Sequence, residues 1–176
     1  MIELGTIRDL VAISGVFIGL SYYIMNIREV RYNRKITLTN NVLQPFQTKE
    51  GFQTIMDLLS MEWTSIDDFK QKYDHRVNPE NSAARMAMWN KCESIGLLYR
   101  QGLLDLETLF GGSQGIIATL WAKFKPIIMM YRESDMGPTA YINFEYLATS
   151  LTKYMEKQGE TDPDIRIKRQ LEKQTT

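Results

Sequence analysis

The stretch Leu10–Ile27 reads LVAISGVFIGLSYYIMNI and contains no charged side chain. As a helix it rises about 27 Å, at roughly 1.5 Å per residue, which is close to the roughly 30 Å hydrocarbon core of a bilayer. Apolar residues cover every face, so the helix lacks the polar stripe of a surface helix. We therefore predict an N-terminal transmembrane helix, within a membrane anchor and basic juxtamembrane segment that together span residues 1–35.

Two alternatives to a transmembrane helix exist for this stretch. A cleaved signal peptide begins with a basic region, whereas the flank here holds Arg8 against the acidic Glu3 and Asp9. Small residues at cleavage spacing are also missing after the apolar run. A buried helix of a soluble protein is the second alternative, and a chain of 176 residues is long enough to accommodate one.

The residues after the apolar stretch predict its orientation. Arg28, Arg31, Arg34 and Lys35 stand there against one acidic residue, Glu29. An excess of Lys and Arg marks the cytoplasmic side, so we predict a single-pass protein of the cell membrane with its N-terminus outside and its domain cytoplasmic. The same four basic residues are candidate contacts for anionic lipid head groups, and membrane lipids are thus a predicted partner.

Gly15 and Gly19 form a G-x-x-x-G pair within the apolar stretch. Two glycines one turn apart let a second helix approach closely, which makes them a candidate face for helix pairing in the membrane. The predicted partner is another membrane protein subunit or a second copy of this chain.

Composition limits the chemistry that the chain can perform. Its 21 basic and 21 acidic residues balance to a net charge of zero, which gives no electrostatic argument for nucleic-acid binding. One cysteine and one histidine cannot form an intramolecular disulfide or a Cys/His zinc site. Phosphate-binding glycine loops are also missing. We predict no cofactor, no metal and no catalytic residue.

The remaining residues divide into three segments. A polar run from Thr37 to Asn41, followed by Pro45, predicts a break in the helix and a linker over residues 36–47. A helical domain follows over 48–158, with helix starts predicted at Thr48, Ser65 and Asn78. A polar C-terminal tail covers 159–176. Because no segment shows sustained strand alternation, we predict an all-α protein: a transmembrane helix followed by a cytosolic bundle of about five helices.

Four charged residues lie on otherwise apolar predicted helices: Arg85, Glu93, Arg132 and Glu145. Charges in such positions form a possible buried polar network, which more often specifies packing than performs catalysis.

Several short motifs resemble one family. They are Arg85-Met-Ala-Met-Trp89, Glu93-Ser-Ile-Gly96-Leu-Leu, Gly102-Leu-Leu-Asp105-Leu-Glu107, Trp121-Ala-Lys-Phe-Lys-Pro126 through Arg132, and Phe144-Glu-Tyr-Leu147. Together they resemble uncharacterised archaeal and bacterial single-pass membrane proteins that place a small helical domain of unknown function behind an N-terminal membrane helix. The resemblance implies this architecture over nearly the whole chain and implies no site residues.

We predict a membrane-anchored helical interaction protein, or an accessory subunit of a membrane complex, with no catalytic activity of its own. Two alternatives stay open. One is a small-ligand sensor or an enzyme with a pocket between the helices, built from Arg85, Glu93, Arg132 and Glu145. The other is a lipid-responsive defence or stress effector that uses the basic residues after the apolar stretch.

Overall fold

The structure, a computed structural model, describes residues 4–113, 115–134, 136–163, 165 and 167. Within these residues the chain forms seven α-helices and no β-strand, which confirms the all-α prediction. The helices are α1 (Leu4–Gln47), α2 (Lys49–Ser60), α3 (Ile66–Tyr73), α4 (Pro79–Arg100), α5 (Leu106–Ser113), α6 (Ile116–Ser134) and α7 (Ile142–Lys157). The chain divides into two compact units, residues 1–38 and residues 39–176.

The first unit contains the greater part of α1. Its apolar side chains from Val11 to Met25 are exposed, for example Val16 at 71% and Ile18 at 70%. One 18-residue window has a mean hydropathy of 1.3, and none of it is buried. By length and composition, this N-terminal helix is therefore able to cross a membrane.

The predicted break over residues 36–47 is wrong, because α1 continues to Gln47. The Thr37 hydroxyl donates to the carbonyl of Asn33 at 2.9 Å, so this polar side chain bonds to the preceding turn of the helix. Pro45 lies in the last turn, where it removes one backbone hydrogen bond. The ladder resumes directly after it, since the Thr48 N–H donates to the Gln44 carbonyl at 3.1 Å.

The second unit is built around α4, which packs against α7, while α6 packs against the same α7. Gly96 allows the backbones of α4 and α7 to approach closely, since a Cβ atom at this position would clash with the backbone carbonyl of Asn143. The end of α1 belongs to this unit and buries Leu43 and Phe46. The fully buried core includes Phe69, Trp89, Ile95, Leu109, Ile117, Leu120, Phe124, Ile127, Phe144, Leu147 and Leu151.

The three predicted helix starts are confirmed. The side chain of Thr48 accepts a hydrogen bond from the Gly51 N–H, that of Ser65 from the Asp68 N–H, and that of Asn78 from the Asn81 N–H. Each bond satisfies a backbone donor that the first helical turn leaves without a partner. These short-range signals therefore determine where α2, α3 and α4 begin.

Residues with positive φ mark two further helix boundaries. α5 continues through Gly111 and Gly112 to Ser113, and the chain turns at Gly115, whose φ is +75°. α7 begins at Ile142, after Tyr141 in a left-handed conformation with φ of 56°.

The predicted polar tail, 159–176, lies largely outside the described residues. In its described part, Gly159 has a φ of +75° directly after α7, and Pro163 is buried.

Candidate functional site

The four charged residues singled out from the sequence all lie in the second unit. Arg85 and Glu93 are on α4, Arg132 is in the last turn of α6, and Glu145 is in the first turn of α7. Arg85 is fully buried, and the side chain of Arg132 is 12% exposed. Charged groups in such places need partners, and the partners determine what the residues do.

Glu93 caps the start of α7 from a different helix. Its Oε2 accepts a hydrogen bond from the backbone N–H of Phe144 at 2.7 Å, and its Oε1 accepts one from the side-chain amide of Asn143 at 2.8 Å. The N-cap residue of α7, Tyr141, provides no side-chain hydrogen bond of its own. A carboxylate at this position also interacts favourably with the positive end of the α7 dipole.

Arg132 reaches the same place from α6. Its Nε donates to the Ala140 carbonyl at 2.7 Å, and its Nη1 donates to Glu145 Oε2 at 2.7 Å. Three of the four candidates therefore meet around residues 140–145. We call Glu93, Arg132 and residues 140–145 the α7 junction.

Arg85 forms a separate cluster towards the start of α4. Its Nη1 donates to Asn81 Oδ1 at 2.8 Å, and its Nη2 donates to the Tyr73 carbonyl at 3.3 Å. The guanidinium also lies over the Phe69 ring, 4.8 Å from its centroid. Burial lowers the pKa of Arg85, an effect that the nearby Tyr131 hydroxyl partly opposes.

Three buried nitrogen atoms donate to no described residue: Arg85 Nε, Trp89 Nε1 and Arg132 Nη2. Apart from Arg132 Nη2, the charged groups of the α7 junction form hydrogen bonds between helices or to the turn before α7. Both oxygens of Glu93 accept, and Arg132 pairs with Glu145. This arrangement joins α4, α6 and α7.

The predicted membrane residues lie on α1 in the first unit. A Cβ atom added at Gly15 or at Gly19 would meet no atom within 4 Å, so a second helix can approach both. Arg28, Arg31 and Arg34 are exposed, and Lys35 is half-buried.

Candidates for metal binding or nucleophilic chemistry are few in the described part of the chain. It holds no group of three or more His, Cys, Asp or Glu residues that could bind a metal ion. Cys92 is fully buried, and this burial raises the pKa of its thiol. His75 lies at the surface with its Nδ1 3.2 Å from Asp74 Oδ1.

One candidate site was not predicted from the sequence. Lys123 lies in a cavity of about 140 Å³, which we call the Lys123 pocket; it is lined by Met61, Trp63, Ala122, Lys123, Pro126 and Ile167. These residues come from three parts of the sequence, so spacing along the chain gives no signal for it. Lys123 is half-buried and Lys125 is exposed, although both lysines directly flank the core residue Phe124.

Comparison with protein families gives one match. A family model described as "Domain of unknown function (DUF4760)" matches residues 9–151, a range that includes both the apolar stretch of α1 and most of the second unit. Searches of curated proteins and of solved structures each gave no match.

Proposed function

The chain belongs to the DUF4760 family, a domain of unknown function, and we propose that it is a membrane-anchored helical interaction protein, or an accessory subunit of a membrane complex, without catalytic activity of its own. The observation that carries this proposal is the exposed, uncharged face of α1. Because the family match includes this stretch, the proposed anchor belongs to the family domain.

The apolar side chains of α1 support insertion in lipid. Between Val11 and Met25 the large apolar residues are 44–71% exposed, and every one of them contacts water unless another surface covers it. Burying apolar area is worth roughly 25 cal/mol per Å², so a contiguous apolar helix surface of this kind strongly favours a non-aqueous environment. A bilayer provides that environment on all faces at once.

The basic residues Arg28, Arg31, Arg34 and Lys35 support the cytoplasmic location of the second unit. At such a position each basic side chain near an anionic leaflet contributes about 1 kcal/mol of attraction. The N-terminus is then outside, and the single pass is completed by about Ile27.

Pairing through α1 gives the anchor a second role. With an open face at Gly15 and Gly19, a partner helix can contact the backbone directly, as in G-x-x-x-G pairs. The partner is another membrane subunit or a second copy of the chain.

The hydrogen bonds that the charges of the α7 junction make between helices support a binding role for the second unit over a catalytic one. Glu93, Arg132 and Glu145 bond to protein groups and hold helices together. Such networks fix a unique arrangement of helices, which a binding surface requires.

The experiment that tests this proposal is native mass spectrometry of the tagged full-length protein after gentle detergent extraction from its native membranes. We expect a defined complex, either with other membrane subunits or as a dimer. Gly15→Leu with Gly19→Leu should dissociate it, whereas Ile13→Leu with Phe17→Leu, on the opposite face of the same helix, should leave it intact. A monomer with no co-purifying protein would contradict the proposal.

A further inference from the structure

The Lys123 pocket combines an apolar wall with one cationic group. Most of its lining is apolar, from Met61, Trp63, Ala122, Pro126 and Ile167, and Lys123 is the charged residue among them. Small-molecule sites generally have this composition, in which apolar residues provide contact area and a few polar groups fix orientation.

The wall formed by Trp63 is held rigidly. Its ring stacks on Phe124 with centroids 5.5 Å apart and an interplanar angle of 26°, and it meets the edge of Phe69 at 5.2 Å. Phe69 and Phe124 are themselves fully buried. The indole therefore presents a fixed surface to the pocket, and a ligand does not need to order it on binding.

The Lys123 ammonium is fixed at this wall. Its Nζ donates a hydrogen bond to the Leu59 carbonyl at 2.6 Å and lies 5.1 Å from the centroid of the Trp63 ring. An ammonium group has three N–H donors, and the Leu59 carbonyl takes one of them. Burial lowers the pKa of Lys123, while the negative charge of Glu62 opposes that effect.

We propose that the Lys123 pocket binds a small monocarboxylate, with the apolar body against Trp63 and Met61 and the carboxylate on the ammonium of Lys123. A charge-assisted hydrogen bond from an ammonium to a carboxylate is roughly twice as strong as one between neutral groups. The volume of about 140 Å³ fixes the size of the body, since a cavity of roughly 150 Å³ holds one benzene molecule, or about six heavy atoms.

This site is independent of the proposed function. It lies wholly in the second unit, and its lining residues include no part of the apolar stretch of α1. A failure of membrane anchoring would leave it unaffected, and a failure of ligand binding would leave the anchor unaffected.

The test is a titration of the full-length protein in detergent micelles, carrying ¹³C-methyl methionine, with isovalerate as the probe. Met61 is 5% exposed and lines the pocket, so its methyl resonance, assigned with Met61→Leu, reports on occupancy. Isovaleramide has the same shape without the charge. We expect a saturable shift with isovalerate and binding at least tenfold weaker with isovaleramide.

Two lysines on α6 provide matched variants. Lys123→Met should weaken isovalerate binding at least tenfold, whereas Lys125→Met, at an exposed position two residues along, should leave it unchanged. If the methyl spectrum of Lys123→Met loses its dispersion, the variant is unfolded, and Ala122→Leu is tested in its place. The larger side chain at residue 122 fills the pocket and leaves Lys123 in place. Equal binding of acid and amide, no saturable shift of Met61, or unchanged binding in Lys123→Met or Ala122→Leu would overturn the proposal.

Discussion

The carboxylate of Glu93 on α4 accepts a hydrogen bond from the backbone N–H of Phe144 on α7 at 2.7 Å, across 51 residues of sequence. The first turn of α7 thus receives its cap from another helix, because the residue before it, Tyr141, is left-handed and provides none. Three residues after Glu93, Gly96 allows the backbone of α4 to contact Asn143. One face of α4 therefore determines where α7 begins.

Replacing Glu93 should destabilise the second unit. Glu93→Ala leaves the Phe144 N–H without its cap and should lower the free energy of unfolding by about 2 kcal/mol; Glu93→Gln keeps an acceptor and should lower it by about 1 kcal/mol. Denaturant unfolding followed by tryptophan fluorescence measures this directly, since Trp63, Trp89 and Trp121 all lie in the second unit. The control is Glu156→Gln, at an exposed position of α7, which should change stability by under about 0.5 kcal/mol.

Adding one methyl group at Gly96 should also loosen the contact of α4 with α7. Gly96→Ala places a Cβ against the Asn143 carbonyl, and because backbone must shift to relieve the clash, we expect a loss of about 1–3 kcal/mol. Gly111→Ala is a matched control on α5, where an added Cβ meets nothing within 4 Å. Helix propensity predicts no loss there, and a gain of up to about 1 kcal/mol. Equal effects of the two substitutions in denaturant unfolding would refute the close contact.

Acid should remove one stabilising interaction of α3. Hydrogen bonds from the Lys72 ammonium and from the Thr64 N–H hold the pKa of Asp68 below its ordinary value of 3.8. Because the folded pKa is depressed, the carboxylate stabilises the folded state above about pH 4 and loses this contribution as the pH falls through the folded pKa. The difference in Tm between the wild type and Asp68→Asn should therefore be positive at pH 7 and shrink towards zero near pH 2. A Tm difference that stays the same at low pH would contradict this role of the Asp68 carboxylate. The control is Asp67→Asn, at the neighbouring exposed position, which should show a smaller Tm difference from the wild type at pH 7.

Cysteine labelling tests the proposed orientation in the membrane. The natural Cys92 is fully buried and its thiol pKa is raised, so it gives little background with maleimides. In intact cells, a membrane-impermeant maleimide should label Gly5→Cys at once and label Thr149→Cys, at an exposed position of α7, only after permeabilisation. Labelling of Thr149→Cys in intact cells would show the opposite orientation.

Local signals in the sequence predicted most of the helices. Thr48, Ser65 and Asn78 each cap a helix with a side chain that reaches three residues along the chain, so their effect needs no tertiary contact. The all-α class follows from the same short-range periodicity. In contrast, Pro45 predicted a break that does not occur, because Leu43 and Phe46 bury their side chains and hold the last turn of α1 in place.

The candidate site was predicted less completely, for a physical reason. The apolar surroundings of Arg85, Glu93, Arg132 and Glu145 predicted a possible buried network. Of these four, only Arg85 is fully buried, the side chain of Glu145 is 36% exposed, and their partners could not be inferred. The bonds of Glu93 span 50 and 51 residues, and that of Lys123 to Leu59 spans 64. Likewise, the left-handed conformation of Tyr141 carries no sequence signal, since asparagine or glycine is the usual residue there.

Extraction of isolated membranes with alkaline carbonate tests the central claim of a membrane anchor most directly. The wild type should stay in the membrane pellet. Phe17→Arg with Leu20→Arg should move the protein to the supernatant, because each arginine costs roughly 2.5–3.5 kcal/mol near the bilayer centre. Val30→Arg, beyond the uncharged stretch, should behave as the wild type. Recovery of the wild type in the supernatant, or retention of the double-arginine variant in the pellet, would contradict membrane anchoring by α1.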